Sequence, residues 1–267
     1  MTRKVIFLLG SIFILQLAYP SSISADWPMA GANPARTSWV SETLPDVIAT
    51  QWVKPIYPLV SQRVQVIGAE GKVYVSTAAG LYAFDASSGA DAWKYPTALP
   101  LGHSPTYSGG YLYVGGMDKK IHKVRASDGQ GIWTFTADGG FYSSPVVTNG
   151  KVYATNRDGA LYAINDTATP TLAWKFQTGN QINQSPAFKD NILYFASNDG
   201  YGYAVNSQTG ALIWQSDSDP STSAKDKFPS QGFYSWWPVI YGDDVIFVST
   251  GFYNNSGLES AWLFGPS

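Results

Sequence analysis

A step of 40 or 41 residues along the chain predicts an all-β fold, a β-propeller built from four-stranded antiparallel blades. Tryptophan, a Ser-Pro pair and a tyrosine all recur at this step. Turn pairs such as Asn-Gly and Asp-Gly divide each unit into runs of four to six residues, which is typical of strands joined by hairpins. The recurring tryptophans are Trp52, Trp93, Trp133, Trp174 and Trp214.

The second unit shows how the strands are assigned. Residues 104–107, 111–115, 121–125 and 132–135 are short β-prone runs, and glycine-containing turns separate them. Glycine suits these turns because it adopts a positive φ at no steric cost. The tryptophan of each unit lies near the end of its fourth strand, so we expect its ring to fill the wedge between adjacent blades.

The repeat yields about four complete blades and a partial fifth. The predicted blades are 56–93, 103–135, 143–176 and 184–214, followed by a partial blade at 236–267. Residues 49–55 resemble a fourth strand without its first three, which is typical of a strand that closes the last blade. Either the fifth blade is the last, or the chain is an incomplete propeller that lacks later blades, and we favour the second interpretation.

The first 25 residues have the pattern of a signal peptide. Arg3 and Lys4 precede an apolar run from Val5 to Leu17, which is shorter than the roughly 20 residues of a membrane span. Ala25 allows cleavage before Asp26. The alternative is an uncleaved membrane anchor. We therefore expect residues 26–267 to be an exported protein, secreted or periplasmic, with no membrane span after cleavage.

The composition excludes several classes of function. The 267-residue chain is 45% hydrophobic and contains no cysteine, which excludes extensive disorder, disulfides and cysteine-ligated metals. Removal of residues 1–25 leaves 15 basic against 19 acidic residues. A weakly acidic protein lacks the basic surface that nucleic-acid binding needs, so no nucleic-acid partner is expected.

The residues before each strand-one proline are predicted to surround the mouth of the central channel. Polar and aromatic side chains at a channel mouth are typical of ligand sites, although they also cap strand ends. The candidate binding residues from this ring are Gln62, Arg63, His103, Gln184, Trp236 and Trp237. Tyr234 joins them from a long aromatic excursion at 215–236, because long loops on rigid scaffolds often carry binding.

Other candidates are weaker. His122 falls in a third strand, where we expect it on a sheet surface and outside any site. Asp217 and Asp219 provide too few oxygen ligands for calcium. No catalytic or metal-binding set emerges from the sequence, and the expected cofactor requirement is none.

Segments such as GKVYVSTAAGLYAFDASSGADAWKY and ILYFASNDGYGYAVNSQTGALIWQ resemble the repeat of the pyrroloquinoline-quinone (PQQ) propeller family, as does the entry segment Asp26-Trp27-Pro28-Met29. The resemblance covers residues 26–250 and implies the propeller fold. The family includes quinoprotein alcohol and sugar dehydrogenases and also non-catalytic propellers such as the periplasmic outer-membrane assembly propeller. The adjacent cysteine pair of the methanol-type dehydrogenases is absent here.

Two functions are consistent with this sequence. The first is an exported, non-catalytic propeller that acts as a binding or scaffold module for a protein or a carbohydrate. The second is a quinone-dependent dehydrogenase, or a fragment of one, with PQQ and calcium as the cofactors that the resemblance implies. The first is favoured because the predicted ring contains no carboxylate to act as a base.

Overall fold

The computed structural model describes residues 26–41, 49–61, 63–216 and 237–249, together with the strand Ser260–Phe264. All regular elements within these residues are β-strands, and every pair of neighbouring strands is antiparallel. This confirms the all-β prediction.

The strands form five sheets, and the strand order within each sheet follows the sequence. The first sheet contains β1 (Ile67–Ala69), β2 (Lys72–Thr77), β3 (Gly80–Asp85) and β4 (Asp91–Pro96). The second contains β5 (Thr106–Ser108), β6 (Tyr111–Gly115), β7 (Lys120–Arg125) and β8 (Gly131–Thr136). The third contains β9 (Val146–Thr148), β10 (Lys151–Thr155), β11 (Ala160–Asn165) and β12 (Thr171–Gln177). The fourth contains β13 (Ala187–Lys189), β14 (Ile192–Ala196), β15 (Gly202–Asn206) and β16 (Leu212–Gln215). The fifth contains β17 (Val239–Tyr241), β18 (Asp244–Ser249) and β19 (Ser260–Phe264).

The first strand of each sheet is the shortest and lies towards the centre of the fold. β1 contacts β5, β5 contacts β9, and β13 contacts β17. The sheets are therefore arranged as blades around an axis, with four complete blades and a three-stranded fifth, an incomplete β-propeller.

The hydrophobic core lies between successive sheets. Ile67 and Leu81 of the first sheet pack with Leu112 and Val124 of the second, and all four are fully buried. Equivalent clusters fill the second, third and fourth interfaces. Because each sheet is covered on both faces, adjacent residues of a third strand are buried together instead of alternating with exposed ones.

The tryptophans of the repeat join each sheet to the next. The indole Nε1 of Trp93 donates to the carbonyl oxygen of Ala126 (3.0 Å), and that of Trp174 donates to Ser207 (3.1 Å). The ring of Trp93 also packs against Tyr74, with 5.8 Å between ring centroids. Each indole thus contributes both buried apolar area and one hydrogen bond across a sheet interface.

Glycine at the turn between the third and fourth strands has two functions. Gly129 has a φ of +76°, and a Cβ atom there would lie 2.6 Å from the ring of Trp93. Gly89 faces Trp52 and Gly210 faces Trp174 in the same way. The glycine therefore permits both the turn and the close approach of the tryptophan from the preceding unit.

Residues 49–55 do not form a strand. They run beside the first sheet, where the Trp52 indole donates to the carbonyl oxygen of Ala86 (2.9 Å) and Lys54 pairs with Asp91 (2.8 Å). Trp52 therefore bonds to the turn after the third strand of the first sheet, as Trp93 does in the second sheet. The first sheet begins at Ile67, later than the blade boundary predicted from the repeat. The role of residues 49–55 in closing the last blade stays a prediction.

The expected surface position of His122 is wrong. Its side chain is buried, with Nε2 3.2 Å from the Asp118 carboxylate and Nδ1 3.1 Å from the Tyr95 hydroxyl. Burial lowers the pKa of His122, while the neighbouring Asp118 opposes this shift. The error arose because alternation along a strand does not mark a solvent-facing side when both faces of the sheet are covered.

Candidate functional site

The predicted ring lies at the centre of the fold, where its serines connect neighbouring sheets. The backbone N–H of Gln65 donates to Ser104 Oγ (2.7 Å), and that of Ser144 donates to Ser185 Oγ (2.8 Å). All three serines are fully buried. The serines of the Ser-Pro repeat therefore accept hydrogen bonds across the first and third interfaces.

The candidate binding residues differ in their placement. Gln184 is fully buried, and its Oε1 accepts from the backbone N–H of Ala196 (3.2 Å). Arg63 is partly exposed, and Trp237 is buried. Gln62, Tyr234 and Trp236 lie outside the described residues, as do Asp217 and Asp219. The structure thus brings His103 and Trp237 together. Gln184 bonds to β14 of the fourth sheet through its side chain, and its backbone carbonyl oxygen accepts from the Thr155 hydroxyl of the third sheet.

His103 is a buried, neutral histidine. Its Nδ1 accepts from the backbone N–H of Ser104 (2.8 Å), and its ring meets the edge of the Trp237 ring with 6.3 Å between centroids. Burial lowers its pKa to about 3, and the positive charges of Arg36 and Arg63 contribute. A histidine that stays neutral and packed in this way is poorly suited to exchange protons at neutral pH.

Acidification below pH 6.5 is expected to destabilise the protein through His103. The folded protein keeps this ring neutral, whereas the unfolded chain binds a proton near the ordinary histidine pKa of about 6.5. As the pH falls, the unfolded state is therefore stabilised relative to the folded state. This group alone should remove about 2 kcal/mol between pH 7 and pH 5. Urea denaturation at both pH values measures the loss, and His103→Gln should reduce it. An equal loss in the variant would show that other groups are responsible.

Arg36 was not found by the sequence analysis, yet it lies at the centre of the ring. It is fully buried and its backbone has a φ of +60°. Each of its three guanidinium nitrogens donates to a carbonyl oxygen: Nη1 to Ala30 (2.6 Å), Nη2 to Ser144 (2.8 Å) and Nε to Pro186 (3.0 Å). Nη2 also makes a longer contact with the carbonyl oxygen of Pro145 (3.5 Å). It also lies over the Trp237 ring, 5.6 Å from the centroid. Burial lowers the pKa of Arg36 to about 9, so the side chain is still mostly charged at neutral pH.

The segment that carries Arg36 passes through the centre of the fold. The backbone of Trp27 pairs with that of Gly68. The carbonyl oxygen of Pro28 accepts from the Tyr107 N–H (2.7 Å). Further along, the Pro34 carbonyl oxygen accepts from the Phe188 N–H (2.8 Å), and that of Ala35 accepts from the Ile240 N–H (2.9 Å). One sequence signal marks this position, an arginine within a stretch of small and apolar residues. The contacts of the segment are mainly backbone contacts and have no periodicity that a sequence would reveal.

A second group of side chains lies on the face formed by the loops between second and third strands and between successive sheets, here called the ring face. The Arg157 guanidinium lies over the Tyr142 ring, 4.8 Å from its centroid, and its Nε donates to Gln181 Oε1 (2.9 Å). The Tyr142 hydroxyl donates to Met117 Sδ (3.3 Å). This surface cluster, Met117, Tyr142, Arg157 and Gln181, connects loops of the second, third and fourth sheets.

Three aspartates on the ring face have structural partners. Asp199 accepts from the Tyr203 hydroxyl (2.7 Å), Asp158 accepts from Tyr162, and Asp118 contacts His122. Each pair is four residues apart, so the aspartate of the turn also fixes a side chain of the following strand. Across the described ranges, no group of three or more His, Cys, Asp or Glu side chains is arranged to hold a metal ion.

Within the part of the chain that the structure describes, no segment is a helix with the length and apolar character needed to cross a bilayer.

Comparisons with known proteins give related results at the level of sequence and fold. Outer membrane protein assembly factor BamB from Yersinia pestis is 27% identical over 165 residues, which is 54% of this chain and 40% of that protein. Quinohemoprotein alcohol dehydrogenase from Comamonas testosteroni has a TM-score of 0.68 at 16% identity and covers 84% of this chain. BamB from Moraxella catarrhalis has a TM-score of 0.55 at 14% identity and covers 74% of this chain.

These relatives are longer than the present chain. It spans 40% of the Yersinia protein, 46% of the dehydrogenase structure and 58% of the Moraxella structure. At such low identity the two structures show the fold alone. The family model described as outer membrane protein assembly factor BamB matches residues 77–255, which is more than half of the chain. The chain therefore belongs to the BamB-like family of PQQ-repeat propellers.

Proposed function

We propose that this protein is an exported, non-catalytic propeller that binds a protein partner through the ring face. The observation that carries the proposal is the surface cluster of Met117, Tyr142 and Arg157. Arginine, tyrosine and methionine are enriched in protein interfaces, and arginine and tyrosine are frequent among the residues that dominate binding energy. Family membership supports a role in outer-membrane protein assembly.

The geometry of the cluster favours recognition. Arg157 is held in place by the Tyr142 ring and by Gln181, so a partner would meet an ordered guanidinium, and less conformational entropy would be lost on binding. The loops that carry the cluster belong to three sheets, which gives a rigid support for binding residues. A carbohydrate partner remains the second ligand class, since tyrosine and arginine also suit sugar rings.

Export supports the same proposal. The predicted signal peptide would release the chain at Asp26. A secreted or periplasmic location would place the ring face in the compartment where outer-membrane proteins are assembled.

A cross-linking experiment tests the partner and the surface together. A photoreactive amino acid at position 181 should give an adduct with one outer-membrane or periplasmic protein in cells of the source organism. The same amino acid at Asn149, in the turn Asn149-Gly150 on the opposite face, should give none. Arg157→Ala should reduce the adduct about tenfold, because losing an interface arginine commonly costs more than 1 kcal/mol.

Arg125→Ala provides a matched control. Arg125 is a partly exposed arginine that pairs with Asp128 (2.9 Å) on the face opposite the cluster. The Arg125→Ala variant should leave the yield of the adduct unchanged. Equal adduct yields from both faces, or a purified sugar that competes with the adduct, would contradict a protein partner at this surface.

The dehydrogenase alternative makes a different prediction. Calorimetry with PQQ and Ca²⁺ should detect no binding, because the described ring residues His103 and Gln184 are buried and Arg36 next to them is a cation bound to carbonyl oxygens. A quinone enzyme would need a base and an oxygen-ligated cation at that point. Micromolar binding that Arg63→Ala abolishes would instead favour the dehydrogenase.

A further inference from the structure

Residues 26–38, here called the axial strap, contact all five sheets. Its backbone meets the first sheet at Gly68, the second at Tyr107, the fourth at Phe188 and the fifth at Ile240. The third sheet is reached by a side chain, because Arg36 donates to the carbonyl oxygen of Ser144, just before β9. Thirteen consecutive residues therefore contact all five sheets.

The backbone contacts repeat at one register position. Gly68, Tyr107, Phe188 and Ile240 are each the second residue of a first strand, and each donates its N–H to a carbonyl oxygen of the strap. A first strand has a neighbour on one side only, so these N–H groups form an inner edge that needs acceptors. The strap supplies those acceptors in four of the five sheets.

Arg36 fixes the shape of the strap. One guanidinium nitrogen returns to the strap at Ala30, while the other two reach the third and fourth sheets. The planar guanidinium directs donors to three carbonyl oxygens at once, which the single ammonium of lysine does less well. Around it, Met29, Ala30 and Ala32 are buried as well.

We infer that the axial strap is one cooperative binding element, and that Arg36 couples its contacts so that all five sheets hold or release it together. The opposite arrangement is a set of independent contacts, in which each sheet holds its own part of the segment. The two arrangements differ in what happens at Gly68 and Tyr107 when Arg36 is changed, because Arg36 touches neither of them.

Native-state hydrogen exchange of the full chain distinguishes a cooperative strap from a set of independent contacts. In the unmodified protein, the amides of Gly68, Tyr107, Phe188 and Ile240 should exchange through one opening event with similar protection factors. Arg36→Lys should lower all four protection factors at least tenfold. The amide of Ile164, which lies in β11 and packs in the core cluster between the second and third sheets, should change less.

Two further measurements keep the inference testable if the variant is poorly folded. Arg125→Ala, which removes a partly exposed arginine far from the strap, should leave the protection factors of the four amides unchanged. The unmodified protein alone provides the other test, since four amides with clearly different opening free energies would overturn cooperativity. If Arg36→Lys lowered the protection factor of Phe188 alone, the contacts of the strap would likewise be independent and local.

Discussion

Trp133→Ala is expected to destabilise the protein by about 3–5 kcal/mol, the usual cost of removing a large aromatic side chain from a core. The ring lies at the interface of the second and third sheets, 8% exposed, and packs against Tyr113 with 6.0 Å between centroids. Its Nε1 donates to Asp166 Oδ1 (3.2 Å). Equilibrium denaturation in urea measures the loss.

Trp133→Phe is the control for this experiment. It keeps most of the aromatic area and removes only the indole hydrogen bond, so it should cost about 1–2 kcal/mol. Similar losses for the two variants would mean that the hydrogen bond, and not the packing of the ring, dominates. A loss below about 1 kcal/mol for Trp133→Ala would contradict the structural role of the tryptophan repeat.

Lys123→Ala is the second variant with a large expected effect, about 3 kcal/mol. Lys123 pairs with Asp166 at 2.7 Å, and their side chains are only 11% and 15% exposed. The ammonium also lies over the Tyr111 ring, 4.1 Å from its centroid. Removing the cation leaves a carboxylate largely shielded from water, which is costly for a buried ion pair. Thermal and urea unfolding of the variant give the size of the loss.

The other interfaces of the chain provide the control. Ala83, Ala163 and Ala204 occupy the position of Lys123, each opposite the repeat tryptophan of its own sheet. Ala126 and Ser207 occupy the position of Asp166. The double variant Lys123→Ala with Asp166→Ala restores the residue types of this pattern and should lose less than the two single variants added together, since it leaves no unpaired buried charge. Additive losses in the double-mutant cycle would show that the two charges are not coupled.

The repeat made the blades predictable because each unit must bury the same kinds of side chains at the same positions. The strand Tyr111–Gly115 has the predicted bounds, and its neighbours differ by one or two residues at their ends. The departures from the repeat were harder to interpret. Lys123 and Asp166 compensate each other only across an interface, which a single unit of sequence does not show.

The candidate site was less predictable than the fold. The position of His103 before a strand-one proline predicts a place at the channel mouth, and the structure shows that this side chain is buried. The strap contacts the first strands through backbone carbonyl oxygens, which every residue carries and which the sequence therefore does not mark. Surface positions such as Tyr142 and Arg157 escaped notice because their relation depends on three loops that meet only in the folded protein.

The axial strap also affects the order of folding. It precedes all five sheets in the sequence, and Arg36 must wait for partners 108 and 150 residues further along the chain. Contacts of such long sequence separation form slowly, because loop-closure entropy is lost before they are gained. Each blade can form from local hairpins as it emerges, whereas the N-terminal segment stays unpaired until the fifth sheet exists. The last step of folding would then involve residues that precede all five sheets. Until that step, the inner strand edges stay open to aggregation.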